Sequence, residues 1–377
     1  MTIDRVSRKL IVLALYLDSL SPGAVSEFWL PAPVRKELKK EVPKSIDLDK
    51  ISFEINSEIT LLLDRERRSY LSEIAKSIIF QITAILEDEE KSFADFNRNC
   101  FGIIVERASE VEIKRLDDKI IDLESRHRKS RYDVLAENRV DKRSLLRQFS
   151  QQVEKAKIAM PPNLALPESE SFSVSSTSRK VWSAFNKHVA PFKSELIINK
   201  DFDFTTHGLA NLAAHEGYGG HHTELSLKDK LLVNEGRGEH SFVLTFSPQT
   251  FISEAIAESA YQLHGLNPLT RESMLIWYYE KQLMALQNLA VFLHFEDGLE
   301  KQEIMHRLDG YDVSETDLQK LVNFATDKKL GRYAHIYHAG FRFLQSIIQR
   351  LEDKSPLIKR IYTRPVTPNM LLVQHAV

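Results

Sequence analysis

Apolar residues recur at helical spacing through most of this 377-residue chain. Between residues 66 and 93 they fall on one helix face, at Leu71, Ile74, Ile78, Ile82 and Ile85. Residues 108–157 contain neither glycine nor proline, and their heptad-like apolar rhythm is interrupted at His127 and Ser130. These patterns predict a mainly α fold, with one or two long helices between residues 108 and 157.

The second half of the chain mixes helical patterns with a small β element. Two strand-like stretches, SELIINKDF (194–202) and HSFVLTF (240–246), follow a predicted helix at 179–189. Further helices are predicted at 251–264, 270–297, 301–308, 314–328 and 331–353. We therefore expect a large helical fold with a small β element before the histidine-rich segment.

Proline and serine residues between 160 and 178 are typical of a loop or linker. They suggest a helical N-terminal region with long charged helices (1–160), a linker (161–180) and a chemistry-bearing region (181–377). The alternative is one continuous fold that includes both halves.

The charge and cysteine content exclude several classes of protein. A net charge of −2 provides no field for nucleic acid or an anionic membrane. The single cysteine, Cys100, cannot form a disulfide within the chain, so we expect a reducing, cytoplasmic setting. The apolar run LIVLALYL (10–17) is too short to span a bilayer and is closed by Asp18, which favours a first amphipathic helix. The oligomeric state is not predicted.

The stretch HEGYGGHH (215–222) contains three of the 13 histidines, one glutamate and three glycines. Zinc favours imidazole nitrogen and carboxylate oxygen, and a helix usually supplies them as H-E-x-x-H, with two histidines four residues apart. Here the second histidine position is Gly219, and the next histidine comes six residues after His215. On a regular helix six residues mean about 9 Å of rise and about 120° of rotation off the face. A regular helix therefore cannot hold one ion with both.

Gly219 and Gly220 provide a way to bend the chain, because glycine tolerates backbone conformations closed to other residues. A bend there would return either His221 or His222 toward His215, and we favour His221. The alternative is a helix that ends in a polar turn, with histidines interacting with its last carbonyls.

HEGYGGHH resembles the H-E-x-x-P-G-H-H motif of the metallopeptidase-like proteins grouped as domain of unknown function 885, which are related to the gluzincin zinc peptidases. Gly219 stands where that family usually has proline. The resemblance covers roughly residues 195–345, and it implies that the strand at 194–202 is an edge strand able to hold an extended peptide.

The resemblance also implies a third ligand on a downstream helix. ISEAIAESA (252–260) offers Glu254 as that ligand and Glu258, one turn later, as a partner for a ligand histidine. The family pattern there is nearer E-G-W-A. A surface salt bridge is the alternative reading of Glu254. In RYAHIYHAG (332–340), Tyr337 precedes Gly340 by three residues as in the family, with His335 and His338 as rivals for its role.

Together these implied roles describe a gluzincin-like zinc metallopeptidase or metallohydrolase. One Zn²⁺ ion would be held by His215, His221 and Glu254, with Glu216 as general base and Tyr337 as donor to the oxyanion. His222 would be the alternate ligand. The expected substrate is a peptide. Two alternatives are a zinc hydrolase of a small amide or metabolite, and a non-catalytic helical interaction protein with a degenerate metal site.

Overall fold

The computed structural model describes residues 3–89, 91–266 and 269–375, and it confirms the prediction of a mainly α fold. Its α-helices are α1 (Arg5–Leu20), α2 (Ala32–Glu41), α3 (Leu48–Thr60), α4 (Arg65–Leu86), α5 (Phe93–Phe96), α6 (Glu110–His127), α7 (Arg131–Glu137), α8 (Leu145–Ala159), α9 (Thr206–Glu216), α10 (His221–Leu231), α11 (Pro248–Leu263), α12 (Arg271–Phe295), α13 (Lys301–Leu308), α14 (Glu315–Ala325), α15 (Ile336–Ile348), α16 (Ser355–Thr363) and α17 (Pro368–His375). The strands are β1 (Val25–Phe28), β2 (Ser171–Thr177), β3 (Ala184–Ala190), β4 (Lys193–Asn199) and β5 (Phe242–Leu244).

The segment 108–157 forms three helices, α6, α7 and α8, where we expected one or two. The first break lies where the apolar rhythm is interrupted. Arg128 ends α6 in a left-handed conformation with φ 56°. Ser130 then starts α7 with a capping box, in which its side chain and that of Asp133 bond each other's backbone N–H.

The strands form two small sheets. In the three-stranded sheet β4 is central, parallel to β2 and antiparallel to β3. The strand predicted at 194–202 is therefore present as β4, but its expected position at a sheet edge is wrong, because both of its sides are paired. Strands β1 and β5 form an antiparallel pair that places Phe28 opposite Phe242.

The prediction of a helix at 179–189 is wrong, because residues 184–190 form strand β3. Its buried positions alternate as in a strand, but they are occupied by polar side chains, Asn186 and His188. An apolar periodicity could not show that alternation, since the inward-facing residues are not apolar.

Hydrophobic packing joins the two halves of the chain. The cluster formed by α1, α3 and α4 also contains Val233, Phe242 and Leu244 from the second half. The segment predicted as a linker, 161–180, contributes β2 to the three-stranded sheet. Among the described residues, none of the helices is both long and apolar enough to cross a bilayer.

Candidate metal centre

The histidine segment folds as two helices separated by a four-residue bend. Helix α9 ends at Glu216 and α10 begins at His221, so Gly217, Tyr218, Gly219 and Gly220 form the bend. A Cβ atom on Gly220 would lie 1.7 Å from the carbonyl oxygen of His215. No side chain fits there, which makes glycine a requirement of the bend rather than a choice.

Gly219 departs from the family motif for a physical reason. Its φ is +103°, in the region that favours glycine, whereas proline is fixed near −65°. A Cβ atom there would also lie 2.5 Å from Cδ2 of His264. Proline at this position is thus incompatible with the bend that this chain forms.

The bend brings His215 and His221 together, and helix α11 places Glu254 against both. The Nε2 atoms of the two histidines each lie 3.4 Å from a Glu254 carboxylate oxygen. One potential ligand atom from each residue lies within 4.8 Å of the other two. The structure therefore groups the three predicted ligands and places His221, not His222, opposite His215.

The donor set fits a metal ion. Glu254 is 5% exposed, and its Oε2 atom is shielded from solvent without a hydrogen-bond partner among the described residues. A buried carboxylate oxygen without a partner is unfavourable, and an ion between the two imidazoles would satisfy it. Two nitrogens and one oxygen are a ligand set that zinc commonly takes.

The charges of the three side chains depend on one another. Burial opposes ionisation of Glu254, but His221 and His215 outweigh it and hold its pKa well below the usual range. Burial also opposes protonation of His215, yet Glu254 and Glu258 raise its pKa well above the usual value. In the metal-free protein the cluster is therefore held together by opposite charges, which a divalent ion would replace.

Glu258 lies behind His215, as the sequence predicts. Its Oε1 atom is 3.4 Å from Nδ1 of His215, and its Oε2 atom accepts from Nζ of Lys281 at 3.1 Å. A carboxylate on the rear nitrogen orients the ring and leaves Nε2 free to face the ligand cluster.

Glu216 and Tyr337 both lie beside the cluster. The Glu216 carboxylate is 4.0 Å from Nε2 of His215, and burial raises its pKa. Its backbone carbonyl accepts from Nδ2 of Asn186, which fixes the end of α9 to β3. The Tyr337 ring centroid is 6.2 Å from that of His215.

Tyr333 is a site residue that the sequence analysis missed. Its hydroxyl donates to Oε1 of Glu254 at 2.5 Å, whereas the rivals considered for Tyr337 bind elsewhere. His335 pairs with Asn97, and His338 pairs with Glu112. Tyr333 lies in a short 3-10 turn before α15, outside the helix that carries Tyr337, so helical spacing gave no signal for it.

His222, the alternate ligand, faces away from the cluster. Its side chain is fully buried, with Nδ1 2.8 Å from Oγ of Ser194 and Nε2 2.9 Å from Oε2 of Glu170. Both ring nitrogens are thus already occupied, and His222 does not join His215 and Glu254.

A cleft of about 560 Å³ opens beside the ligands. His215, Glu216, Glu258 and Tyr337 all line it, together with residues of α12, α14 and the segment before β3. The rest of the lining is mixed, with large aromatic or apolar side chains such as Trp182, Phe202 and Phe324 beside charged ones such as Asp203, Glu280 and Lys320. Of the three residues of the cluster, His215 lines the cleft, so a molecule in the cleft would approach the cluster from the side of that histidine.

No protein-family model matches the chain, and no curated protein matches it. Solved structures with a similar fold include a "putative lipoprotein from Colwellia psychrerythraea", with a TM-score of 0.60 and 14% identity over 97% of this chain and 74% of that one. Another is a "putative lipoprotein of unknown function from Shewanella oneidensis", with a TM-score of 0.55 and 12% identity over 86% of this chain and 70% of that one. At such identities the likeness shows a shared fold.

These comparisons contradict the predicted function. Neither similar structure is described as a peptidase or a zinc enzyme, and one is expressly of unknown function. The prediction that the chain is a zinc-dependent hydrolase of peptide bonds is therefore wrong. The motif concerned metal ligands, and ligands alone do not specify a reaction, because many functions share one fold and one ligand set.

Proposed function

We propose that this chain is a metal-binding protein that holds one divalent ion, with zinc as the preferred ion, through His215, His221 and Glu254. The observation that carries the proposal is the buried Oε2 atom of Glu254, which has no hydrogen-bond partner in the described part of the chain. It lies 3.4 Å from Nε2 of His215, at the centre of a cluster in which each residue offers one ligand atom.

The ligand types favour zinc over the harder cations. Calcium and magnesium prefer sites built from oxygen ligands, whereas imidazole suits zinc and its transition-metal neighbours. Three protein ligands leave a fourth position of a tetrahedral ion for a ligand from the cleft. When bound, the ion would supply a Lewis acid to an oxygen atom in that position.

The side chains around the ligands would define what reaches the ion. Glu216 and Tyr337 line the cleft next to His215, so a molecule entering there meets a carboxylate and a phenol. Tyr333 donates to Oε1 of Glu254, the oxygen that faces His221, and leaves Oε2 facing His215. This arrangement supports a binding centre that accepts a small oxygen-bearing ligand.

Metal content and affinity test the proposal directly. The protein is stripped with a chelator, dialysed, and titrated with Zn²⁺ by calorimetry, with elemental analysis of the loaded protein. We expect one ion per chain. H215A should weaken binding by roughly a thousandfold, about 4 kcal/mol, because one of three ligands is lost.

A histidine outside the cluster provides the matched control. H294A removes a half-buried ring that contacts the Leu299 carbonyl, and it should leave zinc binding unchanged. Zinc at one hundred times its dissociation constant should also stabilise the wild-type fold by about 2.7 kcal/mol. Equal binding by the wild type and H215A would contradict the proposal.

We further propose a relation to the H-E-x-x-P-G-H-H proteins, limited to the order of the ligands along the chain, and a reducing, cytoplasmic setting. The second point is supported by Cys100, the single cysteine, which is a buried free thiol. Cell fractionation tests it. Recovery of the native protein with membranes, as for a lipoprotein, would contradict the cytoplasmic setting.

A further inference from the structure

We infer that Ser253 and Glu224 are positioning residues for His221, and that they fix its ring through a serine hydroxyl placed between the imidazole and a buried carboxylate. The inference rests on the proposed metal site and adds the residues that would prepare its second histidine. Neither residue was predicted from the sequence.

His221, Ser253 and Glu224 form a continuous series of hydrogen bonds, which we call the relay. Nδ1 of His221 lies 3.1 Å from Oγ of Ser253, and that hydroxyl donates to Oε2 of Glu224 at 2.5 Å. The carboxylate of Glu224 accepts from Nζ of Lys228 and from Oγ of Ser253, so the single hydroxyl proton of Ser253 is directed to it. Oγ is then left as an acceptor for a proton on Nδ1 of His221.

The direction of these hydrogen bonds determines which nitrogen of His221 can bind a metal. With Nδ1 of His221 protonated, the lone pair of a neutral ring is on Nε2. That atom lies 3.4 Å from Oε1 of Glu254 and faces the ligand cluster. Ser253 and Glu254 are adjacent on α11, so this helix contacts His221 both behind and in front.

Two of the three residues of the relay lie on one helix. Glu224 is three residues after His221 on α10, and both lie on one face of its first turn. Glu224 is fully buried, and Nζ of Lys228, one turn later, donates to its other oxygen. The lysine balances a charge that would otherwise be costly to bury.

The contacts behind His215 resemble those behind His221, but no hydroxyl lies between the carboxylate and the ring. There Glu258 contacts Nδ1 directly and is balanced by Lys281. Each proposed ligand histidine is thus supported from behind by a glutamate that a lysine neutralises. Glu224 lies on the same helix as His221, and the Ser253 hydroxyl bridges its carboxylate and the imidazole ring.

Substitution of Ser253, with a serine on the same helix as control, tests the relay. We expect S253A to weaken Zn²⁺ binding about tenfold, since removal of a partner behind a ligand typically costs ten- to a hundredfold. S253T retains the hydroxyl and should recover most of the affinity. S259A is the matched control, because Ser259 is buried on α11 with a hydroxyl that has no partner among the described residues.

Two spectroscopic measurements distinguish positioning from a general loss of stability. In ¹⁵N-histidine spectra of the zinc-loaded protein, His221 should show a slowly exchanging Nδ1–H that S253A loses and S253T retains. The visible absorption of the Co²⁺-loaded protein should change in S253A and remain unchanged in S259A. If S253A fails to fold, E224Q/K228M removes the carboxylate and its balancing charge together and should weaken zinc binding in the same direction.

The outcomes separate the relay from the metal site. Wild-type zinc affinity and a retained Nδ1–H signal in S253A would overturn the relay while leaving the site intact. A wild-type protein that binds no zinc would overturn the proposed function, and the relay with it.

Discussion

His221 and His222 are neighbours in sequence but belong to two different buried clusters. Around His222 the contacts are short and complete, at 2.8 Å to Ser194 and 2.9 Å to Glu170. Around His221 the contact to Glu254 is longer, at 3.4 Å, and Oε2 of that glutamate has no hydrogen-bond partner in the described part of the chain. Completeness of partners, rather than the number of histidines, distinguishes a closed polar network from a site that can take a ligand.

The closed network extends well beyond His222. Ser194 is 3.2 Å from Nδ1 of His188, whose Nε2 is 2.7 Å from Asp229, which in turn accepts from Nε1 of Trp29 at 2.8 Å. It links the segment after β1 to β3, β4 and α10. We interpret it as a structural cluster, because each of these groups uses its hydrogen-bonding capacity within the protein.

The largest expected effect is that of G220A, which disturbs both clusters at once. The new Cβ would overlap the His215 carbonyl, 1.7 Å away, so the bend must open and displace the start of α10. We expect a loss of about 4 kcal/mol in the free energy of unfolding and no measurable zinc binding. G310A, at a glycine with open space around its Cα, is the control. A G220A protein with wild-type stability would show that the bend is built differently.

Substitution of the paired histidines should separate the two clusters. H221A should reduce zinc affinity by roughly a thousandfold, about 4 kcal/mol, and change metal-free stability little. H222A should lower the free energy of unfolding by about 2–4 kcal/mol, because Glu170 and Ser194 lose a buried partner. Its zinc affinity should change only a few-fold. Urea unfolding and calorimetric titration measure both quantities, and the reverse pattern would refute the comparison.

The Y333F substitution tests how the Tyr333 hydroxyl supports the cluster of His215, His221 and Glu254. Loss of the hydroxyl that donates to Oε1 of Glu254 should weaken zinc binding about tenfold, since the ligand is less firmly oriented. Y278F is the matched control, because Tyr278 lies on α12 and packs against Trp277, outside the cluster. Equal losses in the two variants would show that the effect does not depend on the hydroxyl that donates to Glu254.

The smallest expected effect is on how the free energy of unfolding depends on pH through the closed network around His222. Burial favours the neutral form of Glu170, but His222, Lys157 and Tyr218 outweigh it and lower its pKa from 4.5 to about 2. A lowered carboxyl pKa stabilises the fold above the unfolded value, and this stabilisation is lost as pH falls toward the folded value. E170Q should therefore be less stable than the wild type by about 1 kcal/mol at pH 7, with solvent screening Lys157.

The control for E170Q is the same comparison at lower pH. Between pH 4.5 and 3 the difference in unfolding free energy between E170Q and the wild type should shrink. A difference that stays constant over that range would mean that the charge of Glu170 does not contribute. Denaturant unfolding at each pH provides the measurement.

Much of the fold followed from the sequence, because amphipathic helices carry their periodicity in apolar residues. The core positions Leu71, Ile74 and Ile78 of α4 are buried as their spacing predicts. A bend that returns a later histidine to His215 also followed, since the helical arithmetic required one and the glycines allowed it. The choice between His221 and His222 did not follow, because it depends on the conformation of the bend. The strand β3 could not be predicted in this way, because its inward residues are polar and acquire partners only in the folded protein.

The remaining site residues depend on contacts between distant segments. Tyr333 reaches Glu254 across 79 positions of sequence, and Ser253 reaches His221 across 32. Serine and tyrosine are common on helices, so neither has a local signal that separates it from ordinary core or surface residues. Their roles depend on the packing of α11 against α10 and the segment before α15, which periodicity alone does not determine.

The positive φ of Gly219 also limits which residues can replace it in related proteins. Replacement by proline would require φ to change from +103° to about −65°, and an intermediate with any other side chain would collide with His264. A side chain at residue 219 therefore requires both a different backbone conformation and a displaced His264 ring. Among related chains we expect a residue other than glycine at position 219 only where residue 264 also differs.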